Sequence, residues 1–353
     1  MQLQERIESF HKLGRYLDEY LHCPEDYLQK QFNTLEQAIK DAEAENPWFT
    51  RANIIFALSE IARILERKTL EKWLSLYPEK DLDPRTPKPV GVIMAGNIPL
   101  VGFHDFLSVL ISGNRFVGKT STKDKVLLKI LAETIITLNP GFAQNITLTD
   151  TLLPSCEGII ATGSNNSQRY FEYYFGKKPH IFRKNRSSAA VLSGNESVGD
   201  LEKLADDIFL YFGLGCRNVA KIFAPERLDF SILLNALSKY SYLADHHKYA
   251  NNYTYYRAML LMNRLPHMDT GFLLLKEDTS LNSPAAMLYY ERYDTPEDLN
   301  RKLLVHRENL QCIVSGISLP QQTVPFGSSQ KPDPWEYADD VDTLKFLINL
   351  CKN

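Results

Sequence analysis

Several features that would assign a chain to a specialised class are missing from these 353 residues. No stretch approaches 18 uninterrupted apolar residues, and the first ten residues carry no apolar run of the signal-peptide kind. The five cysteines lack closely paired spacing, which argues against a disulfide framework or a zinc ribbon. Forty basic residues against 43 acidic ones leave a net charge of −3, so no basic field favours nucleic acid or a membrane surface. We therefore expect a cytoplasmic enzyme with no integral membrane segment and no nucleic-acid partner.

The composition that remains is that of an ordinary globular protein. Hydrophobic residues make up 44% and charged residues 24%, and the length favours two lobes. Residues 1–88 contain a single glycine, Gly14, and many helix formers. Apolar residues recur there at helical spacing, for example at Phe10, Leu13 and Leu17. This segment is predicted to form several amphipathic helices, and a cluster of prolines ends it.

From residue 89 onward, short apolar runs alternate with amphipathic segments. Such alternation indicates an α/β fold whose parallel strands are wrapped by helices. The predicted strands of a first α/β lobe are 89–95, 115–119, 145–149 and 158–162, with helices starting near Asn97–Pro99 and near Ser121. A second lobe repeats the pattern with strands 189–193, 219–225, 271–277 and 286–293, and with helices 200–212 and 230–240.

Residues Gly113–Thr120 match the phosphate-binding pattern G-x-x-x-x-G-K-[ST]. Taken alone, the match proposes a nucleotide hydrolase in which Lys119 contacts phosphates and Thr120 contacts Mg²⁺. The segment before Gly113 nevertheless carries a helical apolar stripe, whereas a phosphate cradle follows a strand. Phe116 and Val117 also place bulky side chains where backbone N–H groups would surround an anion. We favour a helix stop followed by an ordinary strand, with the hydrolase as the alternative.

One cysteine stands in a setting that suits a nucleophile. FGLGCRN (212–218) sets Cys216 among glycines and next to Arg217, at a predicted helix-to-strand junction. The glycines allow a close approach of the backbone, and the arginine favours a thiolate. Two further features invite a role but have plainer readings. The basic residues between Lys177 and Arg186 are read as a solvated hinge rather than a phosphate site, and His246-His247 as a surface turn rather than a metal site.

Four short motifs stand in a recognisable order: GNIP at 96–99, KTS at 119–121, ATGS at 161–164 and GLGC at 213–216. In this order they resemble the aldehyde dehydrogenase superfamily. The longer stretches GNIPLVGFHDFLSVLISGN, RKNRSSAAVLSGNES and VPFGSSQKPDPWEYADDVDTLKFL resemble more closely the LuxC-type acyl-CoA reductases, a fatty-acid-reducing branch. The similarity extends over about residues 88–350. It implies a helical N-terminal segment (1–88), a Rossmann-like NAD(P)H-binding domain (89–186), a catalytic domain (187–326) and a C-terminal tail (327–353).

The resemblance also implies roles for individual residues. Cys216 corresponds to the covalent nucleophile, and Asn97 to the asparagine whose side-chain amide stabilises the oxyanion. The backbone N–H of Cys216 is the second implied oxyanion donor. The implied cofactor is NADPH or NADH, and the residues implied to bind it are Lys119, Ser121, Gly163 and Ser164.

Two departures from the superfamily pattern bear on the reaction. Hydrolytic relatives have an E-L-G-G-K motif whose glutamate activates water, whereas this chain has Phe182 at that place. The absence of the glutamate disfavours hydrolysis of the acyl-enzyme and favours exchange of the acyl group with a thiol. The E-x-F-G-P motif is also missing, and only Pro284 of it remains. The implied reaction is reduction of a long-chain fatty acyl-CoA, or of an acyl-carrier thioester, to the aldehyde. A non-catalytic thioester-binding relative stays open as an alternative, as does homo-oligomer formation.

Overall fold

The computed structural model of the protein describes residues 1–151, 155–163 and 165–352. The described chain divides into two compact units. The first contains Met1–Lys184 together with the C-terminal residues from Asp333 onward, and the second contains Asn185–Pro332. The finer division into four parts, with boundaries at residues 88, 186 and 326, stays a prediction.

The first unit begins with the expected helical segment. Its helices are α1 (Leu3–Leu21), α2 (Glu25–Gln31), α3 (Asn33–Glu45), α4 (Arg51–Ile64) and α5 (Arg67–Leu74). The apolar stripe predicted from Phe10, Leu13 and Leu17 is fully buried. Gly14 is required where α1 meets the end of α4, since a Cβ at this position would lie 2.8 Å from the Cβ of Leu65.

A parallel sheet follows, as the alternation of apolar runs predicts. Its elements in chain order are β1 (Pro89–Ile93), α6 (Phe103–Ile111), β2 (Arg115–Lys119), α7 (Leu127–Leu138), β3 (Ile146–Thr149), β4 (Gly158–Thr162), α8 (Asn165–Phe175) and β5 (His180–Arg183). The strand order is β3-β2-β1-β4-β5, and every pair is parallel. Strand β5 lies within the basic cluster and was not predicted.

Both predicted helix starts in this sheet are wrong. Helix α6 begins at Phe103, not at Asn97–Pro99, because Leu100 adopts a left-handed conformation with φ +58° that interrupts a helix. Helix α7 begins at Leu127. Ser121 and Asp124 instead close a tight turn before it, in which the N–H of Asp124 donates to the carbonyl of Ser121.

The structure contradicts the phosphate-loop alternative. Gly113 ends helix α6 with φ +81°, and the next residues form strand β2. Phe116 and Val117 are buried, and the N–H of Phe116 donates to the carbonyl of Asn145 within the sheet. These backbone groups are therefore occupied by the sheet and do not form a cradle for phosphate.

The second unit is built on a larger sheet. Its elements are β6 (Ser187–Val191), α9 (Val198–Phe209), β7 (Val219–Pro225), α10 (Ser231–Leu237), α11 (His247–Met262), β8 (Met268–Asp269), β9 (Leu274–Glu277), β10 (Met287–Tyr293), α12 (Pro296–His306), β11 (Leu310–Ser315) and β12 (Thr323–Val324). The strand order is β12-β11-β6-β7-β10-β9-β8, parallel except for the β8–β9 pair. The two-lobed α/β fold class is thus confirmed.

The chain returns to the first unit at Asp333, and α13 (Thr343–Leu350) follows there. Among the residues that the structure describes, no helix is both long enough and apolar enough to cross a bilayer.

Candidate active site

The first unit gathers four of the predicted site positions at one edge of its sheet. Asn97 follows β1, Lys119 and Ser121 stand at the end of β2, and Gly163 follows β4. Because these strands are parallel, their carboxyl ends meet at the same edge. Strands β2 and β3 lie on one side of β1, and strands β4 and β5 lie on its other side. The direction in which strands are added to the sheet therefore reverses between β1 and β4. Such a reversal opens a crevice at the carboxyl edge, where ligands bind in open α/β sheets.

The loop with Asn97 lies directly against the turn with Ser121. A Cβ on Gly96 would fall 2.4 Å from the Oγ of Ser121, so only glycine permits this approach. The N–H of Met94 donates to the carbonyl of Lys119 at 3.1 Å, which extends the pairing of β1 and β2 beyond the strands. The ammonium group of Lys119 donates to the carbonyl of Asp150 at 3.2 Å, at the exposed end of β2.

A buried carboxyl group joins the same two segments. Asp124 accepts a hydrogen bond from the N–H of Leu100 at 2.8 Å, while its own N–H closes the turn on Ser121. One oxygen of Asp124 is buried without a hydrogen-bond partner. Burial raises the pKa of this carboxyl group to about 6. Asp124 therefore holds the left-handed residue of the Asn97 loop to the Ser121 turn.

The residue after β4, Gly163, lies close to the first turn of helix α8. A Cβ on Gly163 would lie 2.9 Å from the Cβ of Ser167 in α8. Ser164, the other residue implied for this turn, lies outside the described residues. Phe182, which the resemblance sets at the place of the glutamate, stacks on His180 with ring centroids 3.9 Å apart.

In the second unit, Cys216 lies at the tip of a tight turn between α9 and β7. The N–H of Asn218 donates to the carbonyl of Gly215 at 3.1 Å and closes the turn, in which Cys216 is the second residue. The carbonyl of Cys216 accepts a hydrogen bond from the hydroxyl of Ser188 at 3.0 Å. The cysteine is exposed. The predicted junction is confirmed, and it presents this residue to solvent.

The backbone before this turn is left-handed over three successive residues. Tyr211, Phe212 and Gly213 have φ of 54°, 59° and 74°. The predicted helix 200–212 is therefore wrong at its end, since α9 stops at Phe209. Left-handed φ costs a bulky residue roughly 1–3 kcal/mol, and such strain persists where the surroundings enforce it, often at functional sites.

Arg217 has a structural partner that the sequence did not reveal. Its Nε donates to the carbonyl of Ser329 at 2.5 Å. The carboxylate of Asp207, in α9, accepts from the N–H groups of Gly327 and Ser329 at 2.6 and 2.9 Å. Burial raises the pKa of Asp207. The segment around Ser329 is thus fastened both to the residue after Cys216 and to helix α9.

The other features considered from sequence have structural roles. Arg183 forms a buried two-pronged ion pair with Asp105, with both N–O distances 2.7 Å, and Lys178 donates to the carbonyl of Cys156. These two of the five cations between Lys177 and Arg186 are therefore engaged within the fold. His246 caps α11 by accepting from the N–H of Tyr249. Among the described residues, no group of three or more histidine, cysteine or acidic side chains is arranged to hold a metal.

The residues that sequence reasoning missed are those that hold the turn. Ser188 stands in the stretch RKNRSSAAVLSGNES and Asn218 two positions after GLGC, but the resemblance implied a role for neither residue. Asp124 lies three residues after Ser121, where the sequence indicated only the start of a helix. The one feature of the sequence that could have indicated Asn218 is a polar residue beside a glycine-rich turn. Such residues occur in many turns without functional importance.

Comparisons with solved structures identify the fold. Aldehyde dehydrogenase 21 from Physcomitrella patens, in complex with the reaction product succinate, has a TM-score of 0.67 at 13% identity, over 99% of this chain and 84% of that one. An aldehyde dehydrogenase C mutant from Pseudomonas syringae, complexed with NAD+ and octanal, has a TM-score of 0.62 at 12% identity, over 89% and 72%. A Mycobacterium tuberculosis aldehyde dehydrogenase complexed with NAD+ has a TM-score of 0.60 at 15% identity, over 89% and 73%. The protein has the aldehyde dehydrogenase fold.

The family is given by the sequence itself. The family model described as acyl-CoA reductase (LuxC) matches residues 15–230, more than half of the chain. No curated protein sequence gives a significant match. The chain belongs to the LuxC acyl-CoA reductase family, as its motifs predicted, and it is an oxidoreductase.

Proposed function

We propose that the protein reduces a long-chain fatty acyl-CoA, or an acyl-carrier thioester, to the aldehyde through an acyl group on Cys216. The observation that carries the proposal is the exposed cysteine at the tip of a turn whose backbone is fastened by hydrogen bonds from Ser188 and Asn218. Membership in the acyl-CoA reductase family supports the thioester as substrate.

The first half of the reaction transfers the acyl group. The thiolate of Cys216 attacks the thioester carbonyl carbon and forms a new C–S bond. The carbonyl electrons move onto the oxygen, where the side-chain amide of Asn97 and the N–H of Cys216 are the proposed donors. When the carbonyl reforms, the bond to coenzyme A breaks and its thiolate leaves with the bonding electrons. Each such donor is worth roughly 3–4 kcal/mol in the transition state.

The second half is a reduction, for which the proposed cofactor is NADPH or NADH. When bound, the cofactor supplies the hydride that the thioester carbonyl carbon accepts. Cys216 then holds a thiohemiacetal, whose collapse breaks the C–S bond, releases the aldehyde and restores the thiolate. The same donors, Asn97 and the N–H of Cys216, would stabilise the oxyanion a second time.

The first unit offers a place that fits the cofactor. The strand order reverses between β1 and β4, and ligands of open α/β sheets bind at the carboxyl edge beside such a reversal. Lys119 is the residue proposed to contact the adenosine ribose or its phosphate, with Ser121 beside it. An ammonium and a hydroxyl group suit a 2′-phosphate, which favours NADPH. Gly163 and Ser164 are proposed for the nicotinamide side.

The residue at the missing glutamate position supports reduction over oxidation to acid. Phe182 stacks on His180 and also lies 5.8 Å from the ring of Phe171. A phenyl ring takes no proton from water, so this position does not activate water to hydrolyse the acyl-enzyme. The acyl group would therefore remain for hydride or for return to a thiol.

The experiment is a reductase assay with a matched pair of cysteine variants. Wild-type protein is given a long-chain acyl-CoA with NADPH and, separately, with NADH, and aldehyde formation is measured. Cys216→Ala should lose turnover and keep the wild-type unfolding curve, whereas Cys23→Ala should retain turnover. Binding of the thioester without reduction by either cofactor would instead identify a non-catalytic relative and refute the proposal.

A further inference from the structure

We propose that Asn218 is the positioning residue of the nucleophile, whose side chain ties the turn with Cys216 to the carboxyl end of helix α9. The inference rests on the proposed function, because it concerns the orientation of the proposed nucleophile. Asn218 is only 2% exposed, yet it carries four hydrogen-bonding groups that all need partners in the interior.

Both the oxygen and the NH₂ group of the Asn218 side chain make hydrogen bonds. Its oxygen accepts from the N–H of Gly215 at 2.8 Å. Its NH₂ group faces three carbonyls at the end of α9, with distances of 3.1, 3.3 and 2.8 Å to Asp207, Ile208 and Leu210. Carbonyls at a helix end lack partners within the helix, so this amide caps α9 from outside.

The backbone of Asn218 makes two further connections. Its N–H closes the turn on Gly215, and its carbonyl accepts from the N–H of Ser188 at 3.3 Å in strand β6. The hydroxyl of Ser188 then donates to the carbonyl of Cys216. One buried residue therefore joins a helix end, the turn of the nucleophile and the sheet.

The strained backbone explains why such a tie is needed. The three left-handed residues, Tyr211–Gly213, lie between the helix carbonyls that Asn218 binds and the Gly215 N–H that it accepts from. The amide thus bridges the strained segment from both ends. Without its NH₂ group, the helix end would lose its cap and the turn would be able to relax toward ordinary backbone conformations.

Relaxation of the turn would move both the thiol and the N–H of Cys216. A misplacement of about 1 Å costs on the order of a hundredfold in rate when the reaction needs an oriented attack. A small alkylating reagent has no such requirement, because it approaches an exposed thiol from many directions. A loss of positioning should therefore slow the acylation of Cys216 by acyl-CoA much more than its alkylation by a small reagent.

The test compares these two reactions in Asn218→Asp, which keeps the oxygen facing Gly215 and replaces the NH₂ group by a carboxylate oxygen. We expect acylation by acyl-CoA and kcat to fall about a hundredfold, with KM near wild type. The iodoacetamide alkylation rate should also stay near wild type when it is compared on the high-pH plateau, where the new carboxylate no longer affects the thiolate fraction. Asn235→Asp makes the same chemical change on the exposed side of α10 and should leave every rate unchanged.

Ser188→Ala provides a second variant in case Asn218→Asp does not fold. It removes the hydroxyl that donates to the Cys216 carbonyl and accepts from the N–H of Cys312. Acylation should fall roughly five- to tenfold, again without a matching loss of alkylation. Wild-type acylation in the variants, or equal loss of acylation and alkylation, would overturn the inference. Failure of the wild-type protein to become acylated would instead refute the proposed function.

Discussion

The buried carboxyl group of Asp124 makes the stability of the first unit depend on pH. Burial raises its pKa from the ordinary 3.8 to about 6. Since the folded protein holds this proton more tightly than the unfolded chain, the group's contribution is complete only well below about pH 4 and is lost as the pH rises through about 6. Two pKa units correspond to about 3 kcal/mol. Asp124→Asn removes this titration and keeps an oxygen that accepts from Leu100.

The unfolding free energy of Asp124→Asn, relative to wild type, should therefore rise by roughly 2 kcal/mol from pH 4 to pH 7, because part of the contribution is already lost at pH 4. Urea unfolding followed by tryptophan fluorescence measures this, because Trp48, Trp73 and Trp335 all belong to the first unit. Asp41→Asn, at an exposed position of α3, is the control and should show no such change. A difference between Asp124→Asn and wild type that stays constant over this pH range would refute the reasoning.

Three other substitutions test single contacts. Asn97→Ala should lower kcat by about 10²–10³ with little change in KM, and a kcat within a few fold of wild type would contradict its role. Gly96→Ala should lower the urea unfolding free energy by about 1–3 kcal/mol, because its Cβ would overlap Ser121. Arg183→Leu should cost about 3–5 kcal/mol by leaving Asp105 buried and unpaired, and an added Asp105→Leu should recover much of that loss.

The sequence predicted those elements whose signal is local. Strands β2, β4 and β7 have the predicted bounds, since each is an apolar run between residues that end a strand. Strand β5 was missed because its charges suggested a solvated segment. Arg183 is buried there with partners from distant parts of the chain, Asp105, 78 positions earlier, and Thr343.

The candidate site likewise contains residues that a local motif indicates and residues that only the folded chain brings together. Cys216 and Asn97 stand in motifs, and the roles proposed for them come from those motifs. The left-handed Tyr211 and Phe212 were assigned to a helix, because their apolar side chains continue the periodicity of α9 and are buried as a helix would bury them. What ends the helix is a set of partners, such as the amide of Asn218, that the chain brings together only on folding.

The central claim is that Cys216 carries the acyl group, and mass spectrometry tests it directly. The protein is incubated with a long-chain acyl-CoA without nicotinamide cofactor, digested and analysed for the modified peptide. One acyl group per chain on the peptide with Cys216 is expected, present in Cys23→Ala and absent in Cys216→Ala. An acyl group on another cysteine, or no acyl group on wild-type protein, would contradict the account.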